Sequence, residues 1–464
     1  MLKKPPIFDH TEFVSKIHEY LGDDAQVAHE YTKHMAPIDD KGRYLHYDEL
    51  RHRVKAPALP EIAWGFKKLS RAGQVNNVLP LGDTGYDKGE LVGRLFLTPT
   101  IQKAISLVDK LATTAHLQSM MAKIGELTHL EYLLNDLIDD EAISSSQLEG
   151  AATTTIVAKD MLRRKRKPRT ADERMIIGNY LMMDYAWEHR KEPLSIELIQ
   201  SLHEIGVEGI DDEEYTPGVF RMDDSVAVVD GDDQVVHQPP KAELLDERML
   251  QLCTWINLSH DDIESSTYIH PVVKAILLHF CIGFEHPFRD GNGRVARALF
   301  YWFMFKSDYG AFRYIAISTL LRKAATRYGK SYVYTETDDM DLTYFVDYQC
   351  SIILRALKRF TETYEKNVLE VQQFNLWMLN SGLYGKLTEK QRIILHNTRN
   401  ACGLKMSANF VKDKLDCSYN TASNALKGMV ELGLLNATAE GRQTVYSIKP
   451  LDEIKQSWDK KGFN

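Results

Sequence analysis

Apolar residues recur at three- and four-residue spacings along most of the chain, which is the pattern of amphipathic helices. The first part of the chain interrupts this pattern with proline and glycine, and we expect it to form a mostly helical N-terminal domain or arm, residues 1–114. The pattern predicts a mainly α fold. The clearest predicted helices are residues 101–138, 154–189, 245–258, 272–284 and 295–305.

One N-terminal segment combines aromatic and basic residues. It runs from Trp64 to Arg71 with the sequence WGFKKLSR. We interpret it as a half-buried helix whose basic face is solvated, and we assign it no chemistry.

A β-branched stretch breaks the helical pattern between residues 218 and 240. Two runs flank an Asp230–Gly231 turn, which is a strong signal for a β-hairpin. A hairpin in a helical protein is either a packing device or a binding edge, because an exposed strand can pair with an incoming peptide. The candidate docking residues are Val226, Val228, Val229, Val235 and Val236.

The pattern changes again near residue 383, where three short helices and a two-stranded hairpin are predicted. This order resembles the winged-helix family over residues 383–464. Winged helices bind DNA or dock proteins, so both kinds of partner stay open. The predicted helices are 387–398, 407–415 and 419–432, and the hairpin turns at Glu440–Arg442. The residues placed for groove contacts are Tyr419, Asn420, Asn424 and Lys427.

The composition and net charge are those of a globular protein. The 464 residues are 44% hydrophobic and 26% charged, as in globular proteins, and the net charge of −8 argues against non-specific binding to nucleic acid or anionic membranes. The segment after residue 383 is mildly basic, with 13 Lys/Arg against 8 Asp/Glu. The five scattered cysteines favour free thiols in a reducing compartment. Neither a signal peptide nor a membrane-spanning run is recognisable, so we expect a cytoplasmic protein without a membrane partner.

The segment from His286 to Arg297, HPFRDGNGRVAR, concentrates the candidate chemistry. Pro287 should end the preceding helix, and Gly291 and Gly293 allow a tight loop before a new helix begins at about residue 293. A helix N-terminus after a glycine-rich loop is a ready anion site. Arg294 and Arg297 are expected on the same side of the new helix, where they suit two phosphate groups.

Two further side chains complete this candidate site. Asp290 is a single carboxylate beside a phosphate site, which is what Mg²⁺ requires. His286 can accept a proton near neutral pH. The set predicts phosphoryl or nucleotidyl transfer, whereas His279 is interpreted as a core histidine because no HExxH spacing is present.

The same segment resembles the Fic motif, HPFx(D/E)GNGRxxR, at every fixed position. The resemblance extends to Gly218–Arg221 and Tyr268–Pro271, and it implies a Fic catalytic domain at residues 115–370 with a flap at about 218–240. It implies ATP and Mg²⁺ as cofactors. The implied roles are a base at His286, a magnesium ligand at Asp290, α- and β-phosphate binding at Gly291, Asn292 and Gly293, and β- and γ-phosphate binding at Arg294 and Arg297.

Glu285 departs from the family pattern, which has an apolar residue before the histidine; we expect it to face solvent. A second resemblance concerns Ser145–Gly150, which is similar to the inhibitory motif (S/T)xxxE(G/N) of the family. It implies an inhibitory helix at about residues 140–151. On this resemblance, Glu149 pairs with Arg297 and occupies the γ-phosphate position, with Ser145 and Gly150 completing the motif.

The resemblance implies an autoinhibited protein adenylyltransferase, which moves AMP from ATP onto a Ser, Thr or Tyr hydroxyl of a target protein or of itself. Removal of AMP and other Fic-type phosphotransfer remain alternatives. A different class also remains, a DNA-binding regulator that uses the Fic fold as a nucleotide sensor. The partners expected are a protein with a hydroxyl acceptor and a DNA or protein ligand of the winged helix, and a homo-oligomer is left open.

Overall fold

The computed structural model is mainly helical, with strands in small antiparallel sheets only. These statements hold for the described part of the chain. It comprises residues 2–86, 89–124, 130–164, 166–210, 216–229, 233–265, 267–399, 405–440 and 443–459.

Short helices build an N-terminal unit around its own aromatic core. Phe13, Tyr31, Trp64 and Phe66 are buried there. The Phe66 ring contacts those of Phe13 and Tyr31 at 5.1 and 5.5 Å between centroids, and the Trp64 ring contacts that of Tyr47. The helices are α1 (His10–Ser15), α2 (Ile17–Leu21), α3 (Ala25–Thr32), α4 (Tyr47–Leu50) and α5 (Pro60–Ala72).

Helix α5 corrects the expectation of a solvated basic face. Lys67 and Arg71 are 1% and 3% exposed, and burial lowers the pKa of Lys67 to about 8. Arg71 donates to the Tyr344 hydroxyl at 2.7 Å, and Lys68 pairs with Asp338 at 2.7 Å. Arg71 and Lys68 therefore fasten the N-terminal unit to the central one, while Lys67 donates to the Ala36 carbonyl within the N-terminal unit.

A hairpin that the sequence pattern did not predict follows the N-terminal unit. Its strands are β1 (Asn76–Gly82) and β2 (Leu91–Leu95), which pair antiparallel. Leu79, Leu95 and Ile101 belong to the apolar core of the central helices. The N-terminal core ends with residues of α5, and residues from β1 onward pack in the central core. The change of core therefore lies before the predicted domain boundary at residue 114.

The central unit contains the predicted helices with additional breaks. The prediction over 154–189 is interrupted between Arg164 and Ala171, where Pro168 cannot continue a helix. Short 3₁₀ segments lie at Ala242–Leu244 and Gly310–Tyr314. The helices are α6 (Pro99–Leu111), α7 (Thr114–Ile124), α8 (Leu130–Leu148), α9 (Thr155–Arg164), α10 (Ala171–Glu188), α11 (Ile196–Val207), α12 (Leu245–Asn257), α13 (Pro271–Glu285), α14 (Asn292–Lys306), α15 (Ser318–Arg322), α16 (Ala325–Thr337) and α17 (Thr343–Asn380).

Helices α13 and α14 lie in the middle of this unit. Almost all of their side chains are buried, as expected for helices that are apolar on every face. Helix α13 begins after His270, whose ring accepts the Val272 N–H at 3.2 Å, and Pro271 occupies its first turn. The two helices bring their connecting loop, residues 286–291, to one end of the core.

The predicted hairpin between residues 218 and 240 is present as two short antiparallel strands. They are β3 (Val228–Val229) and β4 (Val235–His237). The Asp230–Gly231 turn lies outside the described residues. We call residues 218–240 the flap.

Helix α17 is 38 residues long and reaches from the central core to a C-terminal one, to which Phe374 and Met378 contribute. The C-terminal helices and hairpin occur where they were predicted, together with an unpredicted strand β5, in a sheet of order β5-β7-β6. The elements are α18 (Leu383–Lys386), α19 (Glu389–Thr398), β5 (Lys405–Ser407), α20 (Ala408–Lys414), α21 (Tyr419–Glu431), β6 (Leu435–Glu440), β7 (Gln443–Ile448) and α22 (Leu451–Asp459). Assignment of this unit as a winged helix stays a prediction.

In the described ranges, every helix is too short or too polar to cross a bilayer. The described cysteines Cys253, Cys281, Cys350 and Cys417 are free thiols, as expected.

Candidate functional site

The loop between α13 and α14 is closed by one asparagine side chain. The amide oxygen of Asn292 accepts the Phe288 N–H at 2.9 Å, and its amide nitrogen donates to the Phe288 carbonyl at 2.8 Å. Asn292 is 2% exposed. Its side chain therefore closes the loop from Phe288 to the first residue of α14.

His286 caps α13 in the left-handed conformation, with φ 46° and ψ 58°. Its ring lies 3.2 Å, Nδ1 to oxygen, from the Gly283 carbonyl, which can only accept, so Nδ1 carries the proton. Burial lowers the pKa of His286 to about 4. The ring is therefore neutral at pH 7, and Nε2 presents a lone pair, as a general base requires.

The first turn of α14 has the features of an anion site. Gly291 caps it with φ 79°, and the first intrahelical bond runs from the Val295 N–H to the Gly291 carbonyl at 3.1 Å. The earlier N–H groups of the turn have no intrahelical acceptor and carry the positive end of the helix dipole. Asp290 lies beside them, with one carboxylate oxygen accepting the Gly291 N–H at 2.5 Å.

Both arginines of the segment are buried, each 1% exposed, but they bond to different helices. Arg294 donates to the Gly206 carbonyl at the end of α11 at 2.7 Å. Arg297 donates to the hydroxyl and the carbonyl of Ser145 in α8, at 2.9 and 3.0 Å. Arg294 and Arg297 were expected on the same side of α14, but they have different hydrogen-bond partners. Each is oriented by the carbonyl end of a neighbouring helix.

The carboxylate of Glu149 lies on this anion site. Its Oε1 accepts from Arg297 at 2.8 Å, and the Glu149 side chain is 23% exposed. A Cβ placed on Gly293 would lie 2.3 Å from the same oxygen, so only glycine leaves room for the carboxylate there. Glu149 follows the last residue of α8, and Gly150, with φ 99°, turns the chain away.

Part of the central unit is similar in sequence to a known protein family. Residues 193–304 match the sequence model of the Fic/DOC family. They form a Fic domain.

The curated relatives match only a short part of this chain. The protein adenylyltransferase Fic of Nematostella vectensis is 38% identical over 63 residues, which are 14% of this chain and 14% of the relative. The protein adenylyltransferase fic-1 of Caenorhabditis elegans is 34% identical over 71 residues, 15% of this chain and 13% of the relative. The chain thus spans about one seventh of the length of these relatives.

Solved structures with a Fic domain are similar at low identity. A Fic family protein from Desulfovibrio desulfuricans is 18% identical, with a TM-score of 0.46, over 76% of this chain and 96% of that one. A Fic domain containing signaling protein from Bacteroides thetaiotaomicron is 21% identical, with a TM-score of 0.43, over 57% of this chain and 97% of that one.

Arg221 fastens the flap of the Fic domain to the loop that carries His286. Its backbone N–H donates to the Pro287 carbonyl at 2.8 Å, and its Nε donates to the His286 carbonyl at 3.0 Å. Its guanidinium also donates to the carbonyls of Glu285 and Pro240. One buried side chain therefore joins both ends of the flap to the Fic loop.

The opposite end of the flap is fixed through His237. Its Nδ1 lies 2.7 Å from the Glu336 carboxylate, and its Nε2 lies 2.8 Å from the Phe284 carbonyl. Val229 and Val235 remain 51% and 61% exposed, while Val226, Val228 and Val236 are partly buried. The Fic domain thus presents an exposed strand pair on a fixed base.

Glu285 does not face solvent, contrary to expectation. Its carboxylate pairs with Arg248 of α12 through two bonds of 2.6 and 2.8 Å, and both side chains are 6% exposed. The partner comes from 37 residues away, so the residues around Glu285 could not indicate it. The pair anchors the end of α13 immediately before His286.

His203 of α11 was not among the predicted site residues. Its ring stacks on Phe288 at 3.8 Å between centroids and bonds to Gly218 and Asp290. Burial lowers the pKa of His203 to about 4. His279, by contrast, is a core histidine as expected, fully buried and bonded to the Tyr328 hydroxyl at 2.7 Å.

Proposed function

We propose that the chain is an autoinhibited protein adenylyltransferase that moves AMP from ATP onto a hydroxyl of a target protein. The observation that carries the proposal is the Glu149 carboxylate at the N-terminus of α14, where it pairs with Arg297. The loop before this helix carries a neutral His286. A protein anion there indicates that the site binds anions. A base beside an anion site fits attack by a hydroxyl on a phosphate.

The proposed substrate is ATP, and the site residues can hold its phosphates. The first-turn N–H groups of α14 lack intrahelical acceptors, Arg297 binds the Glu149 carboxylate there, and we assign Arg294 to a further phosphate. The Nη1 of Arg297 is buried and lacks a hydrogen-bond partner in the described chain, so a phosphate oxygen would satisfy it. This unpaired donor favours a ligand with more oxygens than one carboxylate.

The proposed cofactor is Mg²⁺, held by Asp290. One oxygen of this carboxylate is used by the Gly291 N–H, which leaves the other to the ion, and phosphates and water would complete the shell. Bound there, Mg²⁺ would neutralise phosphate charge.

The proposed reaction joins these parts. The acceptor oxygen attacks the α-phosphorus of ATP, the bond between the α-phosphorus and the bridging oxygen breaks, and pyrophosphate leaves. Nε2 of His286 takes the hydroxyl proton, because Nδ1 is already protonated toward Gly283. The exposed flap strands supply backbone groups for pairing with the target segment, and Val229 and Val235 supply apolar contacts.

The experiment that tests this proposal is labelling with ATP carrying a radioactive α-phosphate, with and without cell lysate. The Glu149→Gly variant should incorporate label in the presence of Mg²⁺, and the added mass on the acceptor should be that of AMP. An added mass of phosphate would contradict nucleotidyl transfer. Release of AMP from a modified protein, without any incorporation, would instead favour the reverse activity.

A further inference from the structure

His203 makes contacts that a packing residue does not need. Its ring is 2% exposed and lies parallel to the Phe288 ring, 5° between planes. The Gly218 N–H donates to Nδ1 at 3.0 Å, and Nε2 lies 3.0 Å from the Asp290 carbonyl. One ring therefore joins the first residue of the flap to the loop that carries the proposed magnesium ligand.

The two bonds define a single tautomer. An amide N–H can only donate, so Nδ1 of His203 accepts; a carbonyl can only accept, so Nε2 carries the proton. Both polar atoms of the ring are thus used on backbone groups of the site. An apolar side chain of the same size would leave the Gly218 N–H and the Asp290 carbonyl without these partners.

The bond to Asp290 orients a peptide group. The carbonyl of the 290–291 peptide is held by His203, and its N–H is held by the Asp290 carboxylate at 2.5 Å. The plane of this peptide, and with it the direction of the carboxylate, is fixed from both sides. A Cβ on Gly291 would lie 3.3 Å from the His203 ring, which shows how closely the loop approaches it.

The bond to Gly218 orients the flap. Gly218 has φ 70°, and three residues later the Arg221 N–H bonds to the Pro287 carbonyl at 2.8 Å. We propose that His203 is a positioning residue that couples the flap to the Fic loop, so that the target segment and the metal carboxylate are aligned by one side chain. This inference rests on the proposed function, which it deepens.

Two substitutions separate the two bonds. Asparagine places a carbonyl oxygen near the position of Nδ1 and can still accept from Gly218, whereas glutamine places an amide N–H near the position of Nε2 and can still donate to Asp290. We would make His203→Asn and His203→Gln in the Glu149→Gly background, with His203→Phe to remove both bonds and keep the stacking. His396, a buried histidine whose ring contacts Phe374 of the C-terminal core, provides the control His396→Gln.

The glutamine and asparagine variants should have opposite effects on two measurements. In His203→Gln, the Gly218 amide should lose protection from hydrogen exchange by roughly five- to tenfold, while the Mg²⁺ concentration for half-maximal self-labelling stays near that of the background. In His203→Asn, the Gly218 amide should remain protected, while the Mg²⁺ requirement rises by a similar factor. His203→Phe should show both losses, and the control should show neither.

Equal effects of asparagine and glutamine on both measurements would overturn the inference, as would a phenylalanine variant that behaves like the background. Circular dichroism of each variant identifies any general loss of folding. Hydrogen exchange and calorimetry of Mg²⁺ with ATP require no transfer. If the protein incorporates no label, the proposed function is refuted. The role of His203 is still decided by the opposite effects of the glutamine and asparagine variants on Gly218 exchange and on Mg²⁺ affinity.

Discussion

The ion pair between Glu149 and Arg297 supports the most direct prediction. Under the proposed function, replacing Glu149 by glycine removes the carboxylate from the anion site and frees Arg297 for a phosphate. The oxygen and nitrogen of the pair are 2.8 Å apart, Arg297 is 1% exposed and Glu149 is 23% exposed. The interaction is thus a partly shielded, charge-assisted hydrogen bond.

Such a bond contributes about 1.5–3 kcal/mol. Since each 1.4 kcal/mol is a factor of ten, the population open to a productive nucleotide should rise roughly 10- to 150-fold in Glu149→Gly. The initial rate of self-labelling at fixed ATP and Mg²⁺ should rise by the same factor. In the Glu149→Gly variant, Arg297 should keep its two bonds to Ser145, because neither of them involves Glu149.

Two further variants test whether the charge is responsible. Glu149→Gln keeps the length of the side chain and removes its charge, and Glu149→Asp keeps the charge but shortens the reach to Arg297. Both should label at rates between those of the parent and the glycine variant. A glutamine variant as inactive as the parent, beside an active glycine variant, would show that bulk and not charge blocks the site, and would refute this reasoning.

Three other predictions concern the same site. His286→Ala in the Glu149→Gly background should reduce labelling by about 10²- to 10⁴-fold while calorimetry shows nearly unchanged binding of ATP with Mg²⁺; persistent labelling would exclude His286 as the base. Because burial lowers the pKa of His286 to about 4, the ring is neutral above that pH, so labelling should fall only as the pH drops through about 4, and an inflection near 6.5 in the pH–rate profile would contradict the burial argument. Arg248→Met leaves the Glu285 carboxylate buried and unpaired, which should cost roughly 3–5 kcal/mol in urea unfolding, whereas Arg289→Met, at an exposed pair with Asp223, should change stability by less than about 1 kcal/mol; equal effects would show that the Glu285 pair is unimportant.

The loop between α13 and α14 could be predicted because its residues determine it locally. Pro287 ends one helix, Gly291 permits the positive φ of the next N-cap, and the apolar run after it restarts the helix. The pairing of Glu149 with Arg297 across 148 positions was predicted through the resemblance alone. Spacing within the chain contains no signal for it.

The polar groups that hold the site together could not be predicted in the same way. Three polar residues in helical patterns illustrate this. Glu285 was expected to face solvent, His203 was not among the predicted site residues, and Arg71 was assigned no chemistry. Their partners lie 37, 87 and 273 positions away along the chain. Whether such a residue is solvated or buried depends on those tertiary neighbours, and a single sequence does not display them.

The position of Glu149 on the same chain as the site it covers has a kinetic consequence under the proposed function. A tethered inhibitor has an effective concentration that does not fall when the protein is diluted and that reaches the millimolar range for short connections. Moderate changes in ATP concentration then shift the balance little. Control would then have to act on the segment that carries the carboxylate. Three residues before Glu149, the Ser146 hydroxyl shares its proton between the Ala142 carbonyl at 3.0 Å and the Met175 carbonyl at 3.1 Å, so this segment is held between α8 and α10.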